Sequence, residues 1–103
     1  MAKQTIKNLF EIMEFPKEGV FSTVVAKGES SNHTLMCLAK GTAISEHTST
    51  MEGSVTVMKG KGTFVLKGAK IRMEPGVFIF MPKNAPHSIS ADENLAFLLS
   101  LSK

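Results

Sequence analysis

The sequence predicts an all-β domain, a small sandwich or barrel, led by one short amphipathic helix. Three observations carry this expectation. Short runs rich in β-branched or aromatic residues follow one another at roughly ten-residue spacing, enough for about eight or nine strands. Glycine, proline and asparagine turns separate them. Beyond residue 20 no helical pattern alternates with the strands, which excludes Rossmann and phosphate-loop architectures, and neither glycine fingerprint is present.

Taken in order, residues 5–14 set Ile6, Leu9, Phe10 and Met13 at helical spacing behind Thr5, a capping residue, with Lys7 and Glu11 on the other side. This predicted helix packs across an opening or edge of the domain, and residues 1–19 form the lead-in. The barrel domain occupies residues 20–103. Its strands read "VFSTVVAK", "HTLMCLAK", "SVTVMK", "TFVLKG", "KIRME", "VFIFM", "HSIS" and "LAFLLSLS". The turns between them read "GESSN", "KGT", "KGKG", "KGAK", "EPG", "PKNAP" and "ADEN". Within "VFIFM" the period of two puts Val77, Ile79 and Met81 inward and Phe78 and Phe80 outside. Two exposed phenylalanines need cover from a second sheet, the helix or another subunit. Pro82 and Pro86 fix the next turn and set His87 on the inward face, with Ile89 following. The last strand is apolar on both faces, Leu95, Phe97, Leu99 and Leu101 against Ala96 and Leu98.

Composition narrows the functional classes. A chain of 103 residues makes one domain with one small core, and 43% hydrophobic residues without low-complexity tracts describe a soluble globular protein. "MAKQTIKNLFEIMEF" has neither an uninterrupted apolar run nor a small-residue cleavage site, so the expectation is a cytoplasmic protein without a membrane span. Cys37, the one cysteine, sits in an apolar run as a small core residue, which fits a reducing compartment. Net charge is +3, and Lys59, Lys61, Lys67, Lys70 and Arg72 follow one another with no acidic residue between them. There is no Trp or Tyr and no arginine cluster, and these lysines stand at turns, so they form a solvated, edge-protecting face rather than a nucleic-acid surface.

Two segments then resemble the two sequence blocks of the cupin superfamily. "GTAISEHTSTMEGSVTVMKG" places Gly41 five residues before His47 and closes on Gly60; "GVFIFMPKNAPHSISA" carries Gly76, Pro82 and His87 at the family's spacing. The resemblance implies a double-stranded β-helix, a small cupin jelly-roll barrel, which agrees with the strand count. It also implies a facial site of three imidazoles and one carboxylate around a divalent transition metal, Fe, Mn, Ni or Zn. The sequence departs from that pattern. The family's second histidine falls on Ser49, its glutamate on Gly53 with Glu52 one position away, the glycine of the second block on Asn84 and its asparagine on Ala91.

His47 and His87 therefore stand as the imidazole ligands, with a third donor to come from Glu52, Glu46 or Ser49. Glu52 serves only if a one-residue bulge turns it inward, since on a regular strand Gly53, Val55 and Val57 face the other way. Without metal, the two rings are interior histidines satisfied by backbone groups or water. His33, at a strand start, has no partner by spacing and reads as a surface residue. The expected pocket walls are Ser49, Val55, Val57, Phe64, Ile79, Met81 and Ile89, with Met36, Met51 and Met58 nearby. The expected function is binding of a small organic ligand in a barrel pocket around His47 and His87, with a degraded metal site. The alternative is a divalent-metal-dependent enzyme of the family: a dioxygenase, isomerase or decarboxylase. Metal-free epimerase chemistry with a histidine base lacks the usual tyrosine partner. The surplus apolar surface, and the way small members of the family pair through their sheets, predict a homodimer, with no nucleic-acid or membrane partner.

Overall fold

The computed structural model describes residues 4–103. Nine strands follow in chain order: β1 Val20–Lys27, β2 Ser31–Leu38, β3 Ala43–His47, β4 Glu52–Lys59, β5 Gly62–Leu66, β6 Ala69–Met73, β7 Phe78–Met81, β8 His87–Ala91 and β9 Leu95–Ser102. They build a jelly roll of two antiparallel sheets, β1-β2-β9-β4-β7 and β3-β8-β5-β6. No helix among the described residues is long and apolar enough to cross a membrane.

Alternation along the strands decides the layers. On β4 the odd positions Gly53, Val55 and Val57 are buried and the even ones are partly open. On β7, Ile79 and Met81 are buried while Phe78 and Phe80 are 63% and 51% exposed. The inward faces meet in one core around Leu38, Val55, Phe64, Met73, Leu95 and Phe97. Burying each large apolar side chain stabilises the fold by about 1.5–3 kcal/mol. Between β5 and β6 a two-residue loop, Lys67 and Gly68, has φ of 49° and 82°, so both residues take the left-handed region that a tight hairpin of matching twist requires.

The expected N-terminal helix does not form. Residues 5–14 contain a single turn in which Asn8 Oδ1 accepts the Phe10 N–H at 3.0 Å and the Asn8 carbonyl accepts the Glu11 N–H at 3.1 Å. So short a helix is marginal on its own, and an asparagine that bonds the backbone locally competes with it. Tertiary burial then favours a different shape. Ile12, Met13 and Phe15 drape as an irregular strap over a second apolar cluster, Leu35, Cys37 and Ala96, on the outer face of the five-stranded sheet. Lys59 places its Nζ 5.9 Å from the Phe15 ring centroid at the end of the strap. Ile6 and Phe10, two of the residues that suggested the helix, remain exposed.

Strand β3 is the element that the sequence patterns do not single out. "AISEH" is mostly exposed and its pairing with β8 shifts between Ile44 and His47, so neither burial nor a period of two marks it.

Candidate functional site

The β3 irregularity builds the site. Ile44 pairs with Ile89 and His47 pairs with His87, so two residues on β3, Ser45 and Glu46, oppose one on β8, Ser88. This is a β-bulge. In a regular ladder Glu46 would oppose His87 and His47 would turn away. The bulge thus selects an imidazole over a carboxylate at this end of the barrel. The two rings meet edge to face, with centroids 4.2 Å apart and planes at 63°.

The turn before β8 positions the other ring. The Pro82 carbonyl accepts the Ala85 N–H at 3.2 Å, and Asn84 sits at φ 64°, a left-handed position that asparagine tolerates. The Ser49 carbonyl accepts the Asn84 N–H at 2.8 Å and ties this turn to the β3–β4 loop. Pro86 then leads directly into His87.

Both imidazoles use the same orienting bond. His47 Nδ1 lies 2.9 Å from the Ser45 carbonyl oxygen and His87 Nδ1 lies 2.9 Å from the Ala85 carbonyl oxygen, each two residues back. A carbonyl only accepts, so Nδ1 carries the proton in each ring and the neutral imidazole keeps its lone pair on Nε2. His87 is buried, and its Nε2 has no hydrogen-bond partner among the described residues. No side-chain nitrogen or oxygen among the described residues is both sealed and unpartnered, so that Nε2 opens on the adjoining cavity.

That cavity has a volume of about 160 Å³ and lies between the sheets at the barrel mouth. Val55, Phe64, Met81 and Ile89 line it with the two histidines, and so do Met36, Ile44, Phe97 and Leu99. Phe64 stacks parallel to His87, 3° between planes and 5.8 Å between centroids. No charged side chain lines the cavity. Ile44 escaped the sequence reading because its strand did; Phe97 and Leu99 stand on one face of a strand that is apolar on both, so the sequence does not say which face turns inward.

Three expected wall residues lie elsewhere. Val57 and Ile79 belong to the core but do not reach this cavity. Ser49 closes its own loop, its Oγ accepting the Met51 N–H at 3.1 Å. Glu52 is the larger correction. From Glu52↔Ser102 to Val57↔Phe97 the β4–β9 register is unbroken, so no bulge turns Glu52 inward. It lines a separate, open groove of about 360 Å³ on the outer face of the five-stranded sheet, beside His33, Ser54, Phe78 and Phe80. His33 also has a partner that local spacing hides: Nδ1 is 2.8 Å from Ser100 Oγ across the β2–β9 pair. The groove is the larger of the two hollows, but its groups spread over an open sheet face, whereas the imidazoles converge.

The family's usual metal set is therefore not assembled. Among the described residues no three His, Cys, Asp or Glu side chains stand where they would hold one ion. The position aligned with the family's glutamate is Gly53, and a Cβ there would come within 2.5 Å of Leu101 Cδ2 and 2.7 Å of the Ser100 carbonyl oxygen. Leu101 and Met81 fill the space a carboxylate would need. Two imidazoles without a carboxylate do not fit a hard divalent ion, and no reaction step follows through one.

The family model described as "Cupin domain" matches residues 34–101. No curated protein matches the chain. A conserved protein of unknown function from Streptococcus pyogenes superposes with a TM-score of 0.86 at 23% identity, over 100% of this chain and 90% of that one. A cupin superfamily protein from Desulfitobacterium hafniense gives a TM-score of 0.86 at 18% identity, over 99% and 94% of the two chains. A cupin 2 conserved barrel domain protein from Leptotrichia buccalis gives 0.87 at 28% identity, over 94% of this chain and 47% of that one.

Proposed function

The chain belongs to the cupin family, and from that premise we propose that it binds one small, mainly apolar organic molecule in the barrel pocket around His47 and His87. The observation that carries this reading is the cavity of about 160 Å³ with apolar walls and two oriented imidazoles as its polar side chains. A dry apolar cavity of about 150 Å³ accepts benzene, so one six-membered ring is the right scale. The bare Nε2 atoms accept hydrogen bonds, which favours a ligand with a hydroxyl donor. The lack of any cationic side chain disfavours a carboxylate ligand.

Phenol is the probe. Phenol should bind wild-type protein up to about tenfold more tightly than benzene, the worth of one hydrogen bond, and benzoate should bind least. His87→Phe should erase the preference for phenol over benzene. Tighter binding of benzoate, or no binding of any of the three, would overturn the reading. The metalloenzyme alternative needs a third protein ligand, and Glu52, Glu46 and Ser49 are all directed elsewhere.

We also propose that the protein acts as a homodimer in the cytoplasm. Phe78 and Phe80 stand exposed on β7, an edge strand, beside the outer-face groove, and a second copy on the two-fold axis would cover both pairs at once. The single cysteine is free and buried, which fits a reducing compartment.

A further inference from the structure

The outer-face groove carries a charge pattern that packing does not explain. Net charge of the chain is +3, yet no lysine or arginine lines this groove, and Glu52 is its one acidic residue. Among the described residues Glu52 forms no salt bridge; the pair that does form is Arg72 with Asp92. Strand register fixes what surrounds the carboxylate. Ser54 opposes Phe80 and Thr56 opposes Phe78, so both phenylalanines stand on the same sheet face as Glu52, with Phe80 on its diagonal. Their rings are exposed and line the groove. On the other side Ser54 opposes Ser100, whose Oγ lies 2.8 Å from His33 Nδ1, while His33 Nε2 lies 3.3 Å from Ser31 Oγ. Hydroxyls thus hold the imidazole at both nitrogens, and the carboxylate beside two aromatic faces is what the groove offers a ligand.

We infer that this groove binds a small quaternary ammonium compound, with Phe78 and Phe80 presenting their ring faces to the cation and Glu52 supplying the counter-charge. The face of an aromatic ring is the negative end of its quadrupole and attracts a cation, and a carboxylate next to it adds to the same field. Hydration decides which cation. In so open a site a primary ammonium keeps its water, whereas a methylated one is weakly hydrated and brings apolar methyl area to bury on the rings. The absence of lysine and arginine from the lining decides the rest of the molecule. A phosphate or carboxylate on the ligand would meet Glu52 and no positive side chain, so the occupant is a free ammonium with a neutral tail, and the Ser54 and Ser100 hydroxyls suit a hydroxyl on that tail. Groups spread along a sheet are no handicap here, because a cation is held by faces and not by converging donors, and a groove of about 360 Å³ takes a molecule of this size.

The site is complete within one chain and shares no lining residue with the barrel pocket. It does share Phe78 and Phe80 with the two-fold contact proposed above, so a second copy and the ammonium compete for this face.

The test is titration of nitrogen-15-labelled protein with choline and with 3,3-dimethyl-1-butanol, its uncharged carbon analogue, read at the amides of Ser54, Phe80 and Ser100. At these amides choline should bind about tenfold more tightly than the alcohol, the joint worth of two exposed ring faces and one surface charge. Phosphocholine should bind several-fold more weakly than choline. Glu52→Gln and Phe80→Leu are changes at the surface that leave the core intact, and each should lower the preference for choline by about threefold. Excess choline should shift wild type from dimer towards monomer in light scattering. Equal response to choline and the alcohol at the groove, phosphocholine binding as tightly as choline, or choline shifts confined to the barrel around His47 and His87 would overturn the inference. A monomeric wild type that binds choline as expected would remove the dimer and leave this site; a dimer that never responds to choline would give the face to the second copy and remove this site alone.

Discussion

Gly53 determines what the pocket excludes. It faces inward between Met81 on β7 and Leu101 on β9, and the space above its Cα belongs to the Leu101 side chain and the Ser100 carbonyl. Backbone on one side leaves little room to yield, so Gly53→Ala should overpack the site and lower stability by about 1–3 kcal/mol, read from the urea midpoint. An unchanged midpoint would show that Leu101 moves aside freely, and the argument against a carboxylate at this position would fall. At the residue scale, His47 and His87 were reached through the resemblance to the two cupin blocks, which says nothing of how their rings are bonded. The Nδ1–H bonds to Ser45 and Ala85 depend on where two carbonyls point after a bulge and a proline turn. His33 shows the same limit, since its partner Ser100 lies 67 residues away and only strand pairing joins them.

Among the elements, the strands with clean alternation were legible: "VFIFM" and "SVTVMK" announce their buried faces residue by residue. Strand β3 was not, because its bulge breaks the period that reading relies on. Glu52 needed a bulge on β4 to turn inward; the bulge occurs on β3 instead and brings in His47. The N-terminal segment was misread for a different reason. The spacing of Ile6, Leu9, Phe10 and Met13 suits a helix, yet the residues that find cover are Ile12, Met13 and Phe15, and sheet contact outweighs local periodicity. The strap has a measurable consequence through Cys37. Burial is the main cause that pushes this thiol above its ordinary range; a hydrogen bond from the Glu14 backbone opposes it in part, and the nearby Glu14 carboxylate adds a smaller push upward. A raised folded-state value means the fold favours the neutral thiol. Its contribution to stability is complete below the unfolded-state value and is lost as pH rises through the folded one. Alkylation of Cys37 at neutral pH should therefore be far slower than that of an exposed thiol, and Phe15→Ala should accelerate it while the barrel stays folded. Equal rates in wild type and Phe15→Ala would mean that the strap does not guard the thiol.

At the scale of the whole molecule, two features of the jelly roll matter for function. Its outer sheet is covered at one end by the strap and bare at the other, where Phe78 and Phe80 border the groove. Light scattering should find a dimer for wild type and a monomer for Phe78→Ser/Phe80→Ser, with both folded; a wild-type monomer would remove that proposal. The second feature is convergence. A bulge on β3, a proline turn before β8 and the facing walls of the other sheet all end at one barrel mouth, and their joint product is a pair of rings whose Nδ1 atoms are each tied to a backbone carbonyl, which leaves Nε2 for the pocket. Long-range nitrogen–proton correlation spectra of imidazole-labelled protein above the histidine titration range report this directly. A protonated Nδ1 and an unprotonated Nε2 are expected for both His47 and His87. Rings protonated on Nε2 would contradict this, since a bonded proton in place of the lone pair would leave the pocket nothing with which to accept a hydroxyl.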